Sequence, residues 1–480
     1  MKNIKIFTFG LLLLVLTGSC KKFVEGYEKD PNGLLETNTE QIMQGVMLEQ
    51  QFFLKDDGLR LAMLWLNQAT GSDRQFVAFN NWNNVGNNQL NSPWAEVYTV
   101  VGQARLMEGL ADDIGNIQAR GLAKLYRAWA GGMAAALWGD VPFSEAGLLD
   151  QNPNPKYDAQ ADVFAQVQAL LDDAITDFND PVGDIYSDKD LYYGGDPAKW
   201  VNVAHALKAR FYLFAGDYAN AESEAQQGIA SPDDDMVAPY ESYVGSYGRW
   251  NPTFQFYWNR DGYMSAEDSY GANLLMGGLR DNAKTTELAR AYHNYEDQGW
   301  WNDAAINLNV MIEAWFGGGI NGKFGGPMKL LSYGEMLLIQ AEAEARLNGV
   351  AAALPFYNQY RQLLAGAYDT GGWEQLGLPF MYADYDIADF QAGGMENADS
   401  VSELQAFLRE LMEERYVYFI GSLNAFVDHS RTANDADVPS YMELKSGFSG
   451  NPLRFIYPQS EIDANPNVPS PAPSVNDPIY

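Results

Sequence analysis

The stretch LMEERYVYFIGSLNAFVDHSR, Leu411 to Arg431, decides the fold. It reads as the end of a helix, a break at Gly421 and a second short segment. Upstream, Leu404, Leu408, Leu411 and Tyr418 keep helical spacing, and Ser402 with Gln405 has the form of a capping box. Glu413, Glu414 and Arg415 interrupt the apolar face with charge. Buried charges are normally paired, so Arg415 and Asp428 read as a pair holding two helices in register. The other reading is that they touch a ligand.

Working outward, the same helical pattern recurs. Gly121 to Leu137 sets Leu122, Leu125, Trp129, Met133 and Leu137 on one stripe. It ends at Gly139, with Pro142 beyond. Pro93-Trp94 opens a helix to about Asp112, with Trp94 and Tyr98 packing four apart. Helical spacing begins at Ile42 and Val46 and resumes over Leu59 to Asn67, after a break at Asp57-Gly58. Asp158 is placed to cap a helix carrying Val163, Val167, Leu170, Ala174 and Phe178. Asp196-Pro197 starts another, with Trp200, Ala204, Leu207, Phe211 and Phe214 at helical spacing. Gly216-Asp217-Tyr218 then turns the chain into a return helix ending near Ile229. Glu335 to Ala365 repeats this form, turning at Leu347-Asn348-Gly349. The two hairpins resemble tetratricopeptide units, but their spacing is not that of a regular ~34-residue array.

Two stretches break the pattern. The first runs from Gly71-Ser72-Asp73-Arg74-Gln75-Phe76 to Asn80-Asn81-Trp82-Asn83-Asn84-Val85-Gly86-Asn87-Asn88. It has neither core-helix nor strand periodicity. Amides donate and accept hydrogen bonds, and a tryptophan face is a flat apolar platform. Sugar rings present hydroxyls at the edge and C–H groups on a face, so this composition suits glycan binding. An ordinary Asn-rich loop is the plainer reading. Trp82 is the expected platform, with Asp73, Arg74, Asn81, Asn83 and Asn87 as polar contacts. On that reading Trp82→Ala weakens binding without lowering Tm.

The second stretch, 231–326, is rich in Gly, Tyr, Trp, Asn and Asp. Long loops, short helices and a short hairpin are expected there. Loops on a rigid helical scaffold are where binding residues concentrate. Individually its aromatics read as core. As a set they supply one or two ligand platforms, with Trp300 and Trp301 first and Trp315 next.

The ends and the bulk composition set the compartment. Lys2 and Lys5 precede an apolar run, Ile6 to Leu16, too short to span a bilayer. Thr17-Gly18-Ser19-Cys20 follows and looks like a lipoprotein signal, with Cys20 lipidated. The alternative is an ordinary signal peptide with an incidental cysteine. Multiple acyl chains anchor stably, at about 0.8 kcal/mol per buried CH2. The expected division is a signal peptide at 1–19, a lipidated tether at 20–38 and a single helical domain at 39–480. Cys20 is the sole cysteine, so no internal disulfide forms. Hydrophobic residues at 47% and charged residues at 20% mark a globular chain. A net charge of -32 argues against nucleic acid or an anionic membrane surface as the main partner.

Ordered motifs along the chain resemble the SusD/RagB family of outer-membrane nutrient-binding lipoproteins, in its SusD-like subgroup. They are Asp30-Pro31-Asn32; Gly139-Asp140-Val141-Pro142-Phe143-Ser144-Glu145-Ala146; the Tyr333–Ala343 helix start; Leu411 to Arg431; and Arg454 to Asn467, with its Tyr457-Pro458 and Asn465-Pro466-Asn467. Two departures stand out. The family's Glu-Gly-x-Arg is here Ile420-Gly421-Ser422-Leu423-Asn424, and its Asp-Pro-Arg is replaced near Arg280-Asp281-Asn282-Ala283. The resemblance implies a mainly α SusD-like fold with tetratricopeptide-like hairpins and long irregular ligand-binding loops. It also implies glycan capture at the cell surface and delivery to a SusC-like TonB-dependent outer-membrane transporter. Glu25, Glu28 and Asp30 resemble the family's surface-export signal.

Enzymatic signals are poor. His205, His293 and His429 lack metal-ligand spacing, and no H-E-x-x-H, G-x-S-x-G or phosphate loop is present. Carboxylate pairs carry no weight among 63 acidic residues. No cofactor, catalytic residue or metal ligand is expected. A structural calcium in the Asp-rich loops stays open without an EF-hand pattern. Three readings follow: a glycan-binding lipoprotein, a peptide-binding member of the same fold, and a secreted glycoside hydrolase.

Overall fold

A computed structural model describes residues 37–148, 152–239, 252–260, 262–295, 328–368, 370 and 373–480. The first half is helical: α1 (Thr39–Lys55), α2 (Asp57–Trp65), α3 (Arg74–Phe79), α4 (Asn91–Ile114), α5 (Ile117–Trp138), α6 (Gln160–Asn179), α7 (Pro197–Phe214) and α8 (Tyr218–Ala225). Short pieces follow: α9 (Pro252–Asn259), α10 (Tyr270–Met276) and α11 (Leu288–Tyr295). The chain then forms α12 (Tyr333–Asn348), α13 (Val350–Ala365), α14 (Ile387–Phe390), α15 (Glu403–Tyr418), α16 (Leu423–Thr432) and α17 (Gln459–Ala464). The strands are β1 (Thr70–Gly71), β2 (Met236–Ala238), β3 (Met264–Ser265), β4 (Thr285–Thr286), β5 (Met328–Leu331) and β6 (Met381–Tyr382). The fold is mainly α, as expected.

Helix α5 is the centre. Its second half is small or apolar, and all residues from Ala128 to Trp138 are buried. Asn116 caps its start, accepting from Ala119 N at 3.0 Å. The turn from α4 passes through Gly115 at φ +69°, a conformation glycine adopts without a Cβ clash. Gly131 and Gly132 let two rings lie against the backbone of α5. A Cβ on Gly131 would sit 2.1 Å from the Phe143 ring, and one on Gly132 would sit 2.5 Å from the Phe211 ring. The Gly-Asp-Val-Pro-Phe loop is thus anchored through Phe143. Asp158 holds the same loop, accepting from Ser144 N at 2.7 Å and Phe143 N at 3.1 Å. Asp158 is therefore not the cap of α6, whose preceding residue is Ala159. Its carboxylate is used by two loop amides instead.

Both expected hairpins form. Helices α7 and α8 make the first and α12 and α13 the second, and α8 packs against α12. The return helix α8 ends at Ala225, short of Ile229. The break between α1 and α2 falls at Asp56, so Asp57 and Gly58 belong to the second helix. The strands form three antiparallel pairs, β1 with β3, β2 with β5 and β4 with β6. Each joins distant segments, so the local hairpin expected within 231–326 is not among the described strands.

The opening stretch folds as read. Ser402 and Gln405 form the capping box of α15. Gly421, at φ +72°, separates α15 from α16. Arg415 donates from Nε to Asp428 Oδ2 at 2.8 Å and from Nη2 to Oδ1 at 3.0 Å, with both side chains buried. Arg431 ties α16 to α12 through two 2.6 Å bonds to Glu342. Ser422, in the segment where the family carries its arginine, caps α16 by accepting from Asn424 N at 3.3 Å.

Candidate ligand-binding groove

The Asn-rich loop sits between α3 and α4, where two short 3-10 turns, Trp82–Asn84 and Asn87–Leu90, carry it. Most of its amides serve the chain itself. Asn80 exchanges two hydrogen bonds with the Gly71 backbone, at 2.7 and 2.9 Å. Asn81 caps the first turn, accepting from Asn83 N at 3.0 Å. Asn83 and Asn87 donate to Ser449 O at 3.3 Å and to Tyr457 O at 2.5 Å. Asn91 accepts from Ser460 N at 3.0 Å. The loop is thus a clamp on the segment from Ser449 to Ser460.

Trp82 requires a correction. It is 1% exposed, its ring meets Phe448 edge-on at 5.4 Å, and Nε1 donates to Ser449 O at 3.1 Å. A ring so covered offers no open face for stacking. Asp73 and Arg74 are exposed, but Asp73 caps α3 by accepting from Arg74 N at 2.8 Å. Arg74 has φ +50°, and its guanidinium lies 5.7 Å from the Tyr263 ring centre. Cys20, Trp300, Trp301 and Trp315 lie outside the described residues.

Beside the clamp, the structure opens a groove of about 630 Å3. One wall is Asp57 and Leu61 of α2, the other Asn91, Ser92 and Ala95 at the start of α4. Gln75, Phe76 and Phe79 of α3 and Asn88 and Gln89 of the second turn complete it. Phe76 is fixed by Phe79, Phe256 and Tyr263, at centroid distances of 5.7, 5.3 and 6.0 Å. Phe79 is only partly covered and contributes an apolar ring at the groove. Gln75 and Asn88 are exposed, and their side-chain amides make no hydrogen bond among the described residues. Of the residues expected to contact ligand that fall among the described residues, none lines this groove. Their neighbours do, and Gln75, Phe76 and Asn88 come from the same unusual stretch.

The wall is acidic. Asp56 and Asp57 pair with Arg60 at 2.5 and 2.6 Å, and the Arg60 guanidinium lies 4.3 Å from the Phe256 ring centre. Burial first, and then the Asp56 charge, push the Glu96 carboxyl up to about 8. Ser92, on the groove, donates to Glu96 Oε1 at 3.2 Å. Among the described residues no group of three or more His, Cys, Asp or Glu side chains is gathered as for a metal ion. His205 is spent on Glu224 at 2.6 Å, and burial holds His429 down to about 4. No helix among the described residues is long and apolar enough to cross a membrane.

The packed helical frame defines a class, that of mainly α proteins built on paired helices, and it carries a groove with two free amides beside a partly exposed ring. The chain belongs to the SusD-like family: a model of that family, described as starch-binding and associating with the outer membrane, matches residues 31–362. The same fold is found in a SusD/RagB family protein from Bacteroides thetaiotaomicron, 21% identical, with a TM-score of 0.65 over 90% of this chain and 95% of that one. A SusD homolog from Bacteroides uniformis is 18% identical, with a TM-score of 0.62 over 91% and 98%. A chitin-binding protein is 19% identical, with a TM-score of 0.61 over 89% and 94%. No curated protein matches the chain.

Proposed function

We propose that this protein is a cell-surface glycan-binding lipoprotein. It is anchored in the outer membrane through lipid on Cys20, captures an oligosaccharide and delivers it to a SusC-like TonB-dependent transporter. The observation that carries the ligand class is the groove, where the amides of Gln75 and Asn88 are unspent beside the Phe79 ring. Amides meet sugar hydroxyls in both hydrogen-bonding senses, and the ring meets a C–H face. The family's description as starch-binding and the chitin-binding structural neighbour support a neutral glycan. Each aromatic contact contributes about 0.5–1.5 kcal/mol beyond area burial, so a single ring gives weak capture. Trp300, Trp301 and Trp315 are proposed as further platforms, with Asp73 and Arg74 as exposed polar groups near the groove. No covalent chemistry is proposed.

The test takes residues 21–480 without the lipidated cysteine. Affinity gels and calorimetry are run against panels of polysaccharides and peptides, with an assay for released reducing ends. Binding to a glycan without product supports the reading. Product release moves the protein to the hydrolases, and binding to peptides alone keeps the fold and changes the ligand.

A further inference from the structure

A second cavity, of about 530 Å3, shares no lining residue with the groove. It lies where α6, the α7–α8 turn and Arg431 of α16 meet. Its size falls within the ~300–1,000 Å3 of small-ligand pockets. Five rings line it: Phe164 and Phe214, which are buried, and Tyr212, Tyr218 and Tyr480, which are partly exposed. The hydroxyls of half-buried Tyr212 and Tyr218 have no hydrogen-bond partner among the described residues. Gln168, 8% exposed, is held at the cavity wall by giving its Nε2 to Lys208 O at 3.2 Å.

The charges at this cavity are already spent. The two Nη atoms of Arg431 reach Glu342 at 2.6 Å each, and its Nε reaches Asp428 at 2.8 Å. Asp217 accepts from Asn220 N at 3.2 Å and from Asn220 Nδ2 at 2.7 Å. An anionic ligand would find no free cation among the lining residues, in a chain of net charge -32. The partly exposed tyrosine rings and the unpartnered hydroxyls of Tyr212 and Tyr218 remain, with the Arg346 guanidinium 4.8 Å from the Tyr218 ring centre. This is the chemistry of a ligand with C–H faces and hydroxyl edges.

The geometry points to a second saccharide subsite in this cavity, which takes a neutral mono- or disaccharide unit independently of the groove. The choice of ligand class rests on the glycan reading above; the place does not. A glycan long enough to engage both subsites at once would be held more firmly than by either alone, because the second contact becomes intramolecular.

Two exposed alanines permit a clean test, since each lines one site on the surface of a helix. Ala95→Trp fills the groove and Ala165→Trp fills the cavity. Saturation-transfer NMR is recorded with maltohexaose, chitohexaose and xylohexaose on the wild type, both single variants and the double variant. The expected result is a sugar that binds the wild type, still gives signal with Ala95→Trp and loses it in the double variant. Tyr212→Phe, which removes one hydroxyl, is then expected to weaken binding to the Ala95→Trp protein about 2- to 12-fold. Loss of signal with Ala95→Trp alone means one site and overturns the inference while leaving the proposed function intact. Signal persisting in the double variant places the sugar elsewhere and also overturns it. No signal with wild type for any of the three sugars overturns both readings together.

Discussion

Glu96 is the residue whose titration bears most directly on the groove. Its carboxyl sits beside Asp56 and is held protonated to about pH 8. A folded pKa above the unfolded value contributes stability that is fully present below about pH 4.5. That contribution is lost as pH rises through 8. Glu96→Gln is neutral at every pH, so the fall in Tm between pH 5 and pH 9 is expected to be smaller in the variant than in the wild type. An identical slope in both would show that Glu96 is ionised in the folded protein at neutral pH. Trp82 belongs to the same scale. With its ring enclosed by Phe448 and its N–H bound to Ser449, Trp82→Ala is expected to destabilise by about 3–5 kcal/mol in denaturant unfolding. An unchanged midpoint with weaker glycan binding would restore it as a platform.

At the scale of elements, the junctions of α5 and α15 carry the stability. Gly131 and Gly132 are poor helix formers, and alanine at either would add about 1 kcal/mol of helix propensity. The Phe143 and Phe211 rings occupy the space that Cβ needs. Gly131→Ala is therefore expected to cost about 1–3 kcal/mol net, read from the urea midpoint; a stabilised variant would mean that Phe143 moves freely. Asp428 gives the complementary case. Removing one partner of a buried ion pair leaves an uncompensated charge at about 3–5 kcal/mol. Asp428→Ala is expected to destabilise by that order, because it strands both Arg415 and part of Arg431. Glycan binding per folded molecule is expected to stay unchanged; its specific loss would revive the reading of this pair as a ligand contact.

At the scale of the whole molecule, the proposal joins an anchor, a frame and a groove. Cys20→Ala is expected to move the protein from the membrane fraction to the soluble fraction in cell fractionation, with glycan binding retained. Retention in the membrane would argue for an anchor other than lipid on Cys20. The groove lies between α2, α3 and α4, and the Asn-rich loop that supplies Asn88 and Gln89 to it is tied to the segment from Ser449 to Ser460. The loop beside the groove is thus held by a hydrogen bond between residues 370 positions apart in sequence.

By itself the sequence determined what rests on local rules. Helical spacing, the Ser402–Gln405 box, the Asp196-Pro197 start and the glycine stops place helices because each acts within a turn or two of backbone. The Arg415–Asp428 pairing was legible too, since the two charges flank a single break. The tertiary structure decided the fate of groups whose partners arrive from far along the chain. Trp82 is covered by Phe448, and the loop asparagines meet carbonyls of Ser449 and Tyr457. Asp158 serves two amides of the Phe143 loop before any helix. An amide or a tryptophan has the same chemistry for a ligand as for a distant stretch of its own chain. Packing alone settles which of the two it meets, and here it left Gln75, Phe79 and Asn88 at the groove.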